Sequence, residues 1–252
     1  MAKVLGVRRL DLYLDHDRPL IPAELAAFRL LMRRRGEGRE PVAYLTGERG
    51  FRGLDLEVGP GVLIPRPDSE VLVEIGEAFA KERARVTFAD VGTGSGCIAL
   101  ALASACPQAR GLALDRSHAA LQIAARNLSQ TGLGERVTLA QADLLGACRP
   151  GALDLVLSNP PYVLESERSL LSREILEHEP SSALFDRDGL PLTERLVEEA
   201  WVALRPGGLL AIETGFDKAP LVESFFAKVG FVALRRESDL GEVERVVVGS
   251  RP

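Results

Sequence analysis

The sequence predicts an α/β fold in which a parallel sheet presents a ligand site at the carboxyl ends of its strands. Three observations carry that prediction. The apolar run Val86-Thr87-Phe88-Ala89-Asp90-Val91 opens into Gly92-Thr93-Gly94-Ser95-Gly96 and then an apolar helix from Cys97 to about Ala105. Strand, glycine loop and helix in that order begin a Rossmann-like nucleotide site. Three further apolar runs end in a polar residue at the tip, at Asp115, Asp143 and Asn159. Finally, 252 residues give room for one large domain and a small appendage.

Composition narrows the class. Hydrophobic residues make up 46%, charged residues 27% and aromatics 5%, as in an ordinary globular protein. A net charge of -5 provides no global basic field for nucleic acid. No apolar stretch reaches the roughly 18 residues of a membrane span, and no signal-peptide core precedes the first helix. The cysteines at 97, 106 and 148 are odd in number and lack C-x-x-C spacing, which fits reduced thiols in the cytoplasm and no metal site.

Residues 1–40 read as a small helical domain. Pro22 to Met32 carries apolar residues at helical spacing, with proline suited to the first turn. Arg33-Arg34-Arg35 complements the C-terminal dipole before Gly36 and Gly38 break the helix. Residues 41–75 read as short strands and turns, at Tyr44-Leu45-Thr46-Gly47, Phe51 to Leu54 and Leu56 to Val58. In Pro65-Arg66-Pro67 two prolines stiffen the chain around a cation, after which Asp68 or Ser69 can cap a helix.

The main domain occupies residues 76–252. Its glycine loop departs from the dinucleotide fingerprint, because Cys97 takes the place of the final glycine. That weakens a pyrophosphate role, and Asp90 before the loop suits an ammonium group instead. Asp115, about twenty residues on, is placed to accept from ribose hydroxyls, and it or a neighbour caps the helix from Ser117 to Leu128. Asp143 and Leu144, at the end of the next strand, would lie beside a base. Leu153 to Leu157 is a buried strand running into Ser158-Asn159-Pro160-Pro161-Tyr162. The two prolines restrict that corner. They leave the Asn159 amide and the Pro160 carbonyl as adjacent acceptors for a group with two N–H bonds. Residues 163–190 form a long polar insertion suited to a lid or binding surface, with His178 a surface residue. Trp201 to Leu204 ends a helix, Arg205-Pro206-Gly207-Gly208 turns, and Leu209 to Glu213 is a buried strand. A helix from Phe216 to Gly230 and strands at 231–235 and 243–248 complete the chain.

D-V-G-T-G-S-G, Asp115, Asp143 and N-P-P-Y together resemble a class I S-adenosylmethionine-dependent methyltransferase acting on a planar nitrogen. Pro41-x-x-Tyr44-Leu45-x-Gly47, Leu63 to Glu70, Glu179-Pro180, Glu213-Thr214-Gly215 and Asp239-Leu240-Gly241-x-x-x-Arg245 narrow the likeness to the HemK/PrmC family. These are the release factor glutamine methyltransferases. Ser69 stands where the family commonly has threonine, Leu144 where it has a variable aromatic, and the helical region is shortened.

The resemblance implies a Rossmann-like seven-stranded sheet with its last strand antiparallel. It implies methyl transfer from S-adenosyl-L-methionine to the glutamine of a Gly-Gly-Gln motif in a class I peptide chain release factor, leaving S-adenosyl-L-homocysteine. Asp90, Gly92, Thr93, Gly94, Ser95, Gly96, Asp115, Asp143, Leu144 and Asn159 would hold the cofactor. Asn159, Pro160, Pro161, Tyr162 and Arg66 would hold the substrate, with Asn159, Pro160 and Tyr162 catalytic. A monomer is expected. Ribosomal-protein glutamine methylation and nucleic-acid adenine methylation are the alternatives. The second needs base flipping and a basic channel, which a net charge of -5 disfavours.

Overall fold

The computed structural model describes residues 1–239 and 241–252; Leu240, part of one run quoted above, lies outside the described residues. Helices α1 (Ala2–Leu5), α2 (Asp11–Leu14), α3 (Pro22–Gly36) and α4 (Val42–Thr46) come first. Pro22 opens α3 as expected, and Glu24 Oε2 accepts from the Ile21 N–H at 3.0 Å, satisfying a donor that the helix leaves free. None of the α3 side chains is buried, so polar contacts join this region to the rest. Arg35 Nη1 meets Glu174 Oε2 at 2.6 Å, and His178 Nε2 lies 2.6 Å from the Gly38 carbonyl oxygen.

The segment expected as a strand at Tyr44 to Gly47 is helical instead. Pro41 precedes it, Gly47 ends it in the left-handed region at φ 76°, and Tyr44 turns inward to donate to the Val62 carbonyl at 2.6 Å. An antiparallel hairpin follows, β1 (Glu48–Phe51) and β2 (Leu54–Glu57). Arg52 and Gly53 between them have φ of 47° and 79°, the paired left-handed geometry whose twist matches a two-residue hairpin turn. A short 3₁₀ turn at Pro67–Ser69 leads into α5 (Glu70–Lys81).

The remaining elements are β3 (Val86–Val91), α6 (Cys97–Ala105), β4 (Ala109–Asp115), α7 (His118–Thr131), β5 (Val137–Gln141) and β6 (Leu153–Ser158). The insertion contributes β7 (Val163–Leu164), α8 (Arg173–His178), α9 (Ser181–Leu184) and β8 (Phe185–Asp186). Then come α10 (Pro191–Ala203), β9 (Leu204–Glu213), α11 (Ala219–Val229), β10 (Val232–Ser238) and β11 (Glu244–Ser250). Seven strands form one sheet in the order β10-β11-β9-β6-β3-β4-β5. The last strand, β11, runs antiparallel to both neighbours, whereas β9, β6, β3, β4 and β5 pair in parallel. The expected sheet is therefore present.

Alternation along the strands sends side chains to two apolar layers. Phe88, Leu155 and Leu157 pack with Leu72 and Leu100 on one face. Ala89, Val156 and Ile212 pack with Leu196 and Phe226 on the other. The turn expected at Arg205 to Gly208 lies inside β9 as a bulge. Leu153 pairs with Leu204 and Leu155 with Leu209, and Gly207 sits at φ 77°. Gly111 is pressed against the Phe88 ring, where an added Cβ would lie 2.6 Å from Cε2. Gly111→Ala should therefore lower stability by about 1–3 kcal/mol through overpacking. Denaturant unfolding of the purified variant measures this.

Candidate active site

The chain order reverses at β3, with β4 on one side and β6 on the other. Ligands in open α/β sheets bind outside the carboxyl ends of strands at such a switch point. Gly92, Gly94 and Gly96 hold φ of 72°, 56° and 85°, which a side chain would strain. The Gly92 and Thr93 N–H groups both donate to the Leu114 carbonyl at 2.9 Å, fastening the loop to β4. Asp115 fastens it again, Oδ2 accepting from Gly94 N–H at 2.9 Å and Oδ1 from Ser117 N–H at 2.8 Å. A carboxylate has about four acceptor sites, so this one retains capacity for a ligand diol. Ser117 itself caps α7, accepting from Ala120 N–H. Asn127 braces the loop from behind, donating to the Ser95 carbonyl at 2.8 Å and accepting from Glu57 N–H at 2.6 Å.

One pocket runs from this loop to the tip of β6, enclosing about 1050 Å³, part of it open to solvent. Its wall includes Gly92, Thr93, Gly94, Ser95, Asp115, Asp143, Leu144, Asn159, Pro160, Pro161 and Arg66. Asp90, Gly96 and Tyr162 stand behind the wall. Asp90 is fully buried, and its Oδ2 accepts from the Thr93 hydroxyl at 2.6 Å and Ala99 N–H at 3.1 Å. Burial pushes its carboxyl up to about 7. Asp143 is exposed and pairs with Arg195 at 2.6 Å, while Leu144 adopts φ 54° beside it. Arg66 turns its guanidinium to Glu179, at 2.5 Å, and the other Glu179 oxygen accepts from Ile64 N–H at 3.1 Å. Although it lines the pocket, its charge is already engaged.

At the β6 tip the Ser158 hydroxyl donates to the Val91 carbonyl at 2.7 Å, locking the strand end against β3. Asn159 Nδ2 donates to the Ser69 hydroxyl at 3.0 Å, and that hydroxyl donates to Glu213 Oε2 at 2.6 Å. Tyr162 O–H reaches the other Glu213 oxygen at 3.4 Å. Ser69 thus does not cap α5 as expected. It holds helical φ and ψ with no cap bond, because its hydroxyl is committed to Glu213. Glu213 is 1% exposed at the tip of β9, and burial pushes its carboxyl up to about 7. Burial and the Glu213 charge likewise raise Tyr162 above the ordinary phenol range. The polar strand tip that drew attention to Asp115 and Asn159 also marks Glu213, at the end of Leu209 to Ile212.

Residues 68–189 match the Methyltransferase small domain family, and residues 1–47 match the PrmC N-terminal domain. The release factor glutamine methyltransferase of Geobacter sulfurreducens is 40% identical over 99% of this chain and 86% of its own length. The chain belongs to the release factor glutamine methyltransferase family. The enzyme of that name from Nitratidesulfovibrio vulgaris is 40% identical over the whole chain and 86% of its own. A Pyrococcus furiosus methyltransferase structure, 19% identical, superposes with TM-score 0.57 over 89% of this chain and 96% of its own, a likeness of fold.

Members of the family with this fold are S-adenosylmethionine-dependent methyltransferases, and so is this protein. The residues present fit that cofactor. A single cavity joins the loop, the Asp115 carboxylate, apolar Leu144 and the Asn159 corner. α6 begins at Cys97, without the third glycine that a pyrophosphate fingerprint requires.

Proposed function

We propose that this enzyme methylates the side-chain amide nitrogen of the Gly-Gly-Gln glutamine in a class I peptide chain release factor. It acts as a monomer in the cytoplasm. No helix among the described residues is long and apolar enough to cross a membrane. The observation that supports the chemistry most is the anchoring of Asn159 by its own Nδ2 on Ser69. With that nitrogen occupied, Oδ1 is the atom left to accept from a substrate.

S-adenosylmethionine, when bound, supplies a methyl group already activated on a sulfonium. The chain's task is the nucleophile, since an amide nitrogen shares its lone pair with its carbonyl. Asn159 Oδ1 and the Pro160 carbonyl oxygen accept the two N–H bonds of the glutamine amide. That fixes the nitrogen and stabilises positive charge developing on it. Pro160 and Pro161 stiffen the corner, both with trans peptide bonds. Tyr162 packs behind it, its ring against Gly215, where an added Cβ would lie 2.9 Å from Cδ2.

Gly92 to Ser95 would give the cofactor close backbone approach, Asp115 would take its ribose hydroxyls and Leu144 its base. Asp115→Ala should weaken S-adenosylmethionine binding about 10- to 100-fold, the worth of hydrogen bonds to a charged group. Calorimetric titration of the cofactor measures this.

Incubation with labelled cofactor and, separately, a release factor, ribosomal proteins and DNA tests the substrate. Label on the release factor glutamine is expected. Label on ribosomal protein or DNA alone would overturn the reading.

A further inference from the structure

We propose that Ser69 and Glu213 are positioning residues that set which way round the Asn159 amide faces. The two are 144 residues apart in the chain, yet they meet at a buried junction, Ser69 on the pocket wall and Glu213 behind it. Ser69 is 2% exposed and Glu213 1% exposed. This inference rests on the acceptor role of Asn159 given above and adds what enforces it.

The two ends of an asparagine amide have nearly the same shape, so packing alone does not choose between them. Hydrogen-bond direction does. A carboxylate carries no proton to give. Ser69 has a single hydroxyl hydrogen, and Glu213 Oε2 at 2.6 Å takes it. The Ser69 oxygen can then only accept, so the Asn159 atom 3.0 Å away must be the NH₂ end. Oδ1 is thereby turned from Ser69 and kept free to accept. The chain of bonds runs one way, from Asn159 through Ser69 to Glu213, because its terminus is an anion. Tyr162 O–H converges on the same carboxylate at 3.4 Å, which supports the charged form.

The other groups around Glu213 divide in sign. Asp68, beside Ser69 in the turn before α5, opposes its charge, and Arg245 on β11 favours it. Arg245 is shared, lying 2.8 Å from Asp239 and 3.7 Å from Asp68. Cys97, at the start of α6, feels the same carboxylate. Burial dominates these influences and places the proton at about pH 7. A protonated Glu213 can donate to Ser69, which then donates to Asn159 and accepts the reversed amide. Transfer should therefore be slow below about pH 7 and rise to a plateau above it.

The test uses the full chain, saturating cofactor and a release factor substrate, in single turnover from about pH 5.5 to about 8.5. Ser69→Ala should fall about 10- to 100-fold in rate with cofactor affinity unchanged, and Ser69→Thr, which keeps the hydroxyl, should recover most of it. Glu213→Gln retains the shape but can offer Ser69 either an oxygen or an NH₂ group. It should be slow and should lose the rise with pH.

Thermal unfolding separates this from mere support of the fold. A carboxyl held above its ordinary value binds its proton more tightly in the native state. Its contribution to stability therefore diminishes as pH rises from the usual carboxylate range to about 7. Glu213→Gln removes that dependence, and at about pH 8 it should unfold no lower than the parent while remaining slow.

Three results would overturn the proposal: Ser69→Ala at the parent's rate, Ser69→Thr as slow as Ser69→Ala, or Glu213→Gln keeping the pH-dependent rise. A parent enzyme that labels no release factor would remove the function itself, and this inference with it. A parent that labels normally alongside a fast Ser69→Ala removes the inference alone.

Discussion

Asn159→Ala lowers the single-turnover rate of methyl transfer by about 10²- to 10³-fold, with a far smaller loss of cofactor affinity, the expected result of removing one preorganised acceptor. The asymmetry follows from where the side chain points. Its nitrogen is spent on Ser69 at 3.0 Å, so what truncation deletes at the pocket is an oxygen. That oxygen gains most when the amide nitrogen acquires positive charge, which happens in the transition state and not in the bound cofactor. The glycine loop after β3 and Asp115 at the tip of β4, the groups proposed to hold the cofactor, are untouched by the substitution. A titration of cofactor beside a rapid-quench measurement gives both quantities. Equal losses in the two, or a loss of cofactor affinity alone, would contradict the role given to Asn159.

Arg66→Ala should destabilise the protein by about 2–3 kcal/mol, or roughly 5–10 °C in Tm for a chain of this size. The reason lies in its partner. The Glu179 side chain is 1% exposed and the Arg66 side chain 33%, so deleting the arginine strands a buried carboxylate. Losing one member of a fully buried pair costs about 3–5 kcal/mol, and the partial exposure here lets water recover some of it. Glu179 also accepts from Ile64 N–H, so the segment over the pocket loosens with it. Cofactor affinity should weaken accordingly, because Val62 to Arg66 and Pro180 to Ala183 share that wall. Calorimetric unfolding measures the first effect. An unchanged Tm would show that the ion pair contributes nothing net.

The sheet was legible because its strands are bounded apolar runs. Val86 to Val91 and Leu153 to Ser158 begin and end within a residue of their expected limits. The glycine loop, Asp115 and the N-P-P-Y corner were legible because each is a strand tip, and a parallel sheet gathers its tips in one place. What escaped depended on partners far along the chain. Tyr44 in a short segment before glycine looks like a strand residue. Only the Val62 carbonyl, met across a loop, explains why it turns inward from a helix. Ser69 before an apolar run looks like a helix cap, and only Glu213 explains why it is not. Arg66 between prolines reads as a cation held near the site, and it does line the pocket, but its pairing with Glu179 depends on a residue far along the chain. Arg205 to Gly208 looks like a turn, yet it is absorbed as a bulge because the chain just past β11 runs alongside, with Gly207 N–H donating to the Arg251 carbonyl and Arg251 N–H to the Gly208 carbonyl.

A structure with S-adenosylhomocysteine and a peptide bearing the Gly-Gly-Gln glutamine tests the central claim most directly. The glutamine nitrogen should lie about 3 Å from both Asn159 Oδ1 and the Pro160 carbonyl oxygen, facing the sulfur. A glutamine seated with its carbonyl at that corner, or with Asn159 presenting NH₂ to it, would contradict the account.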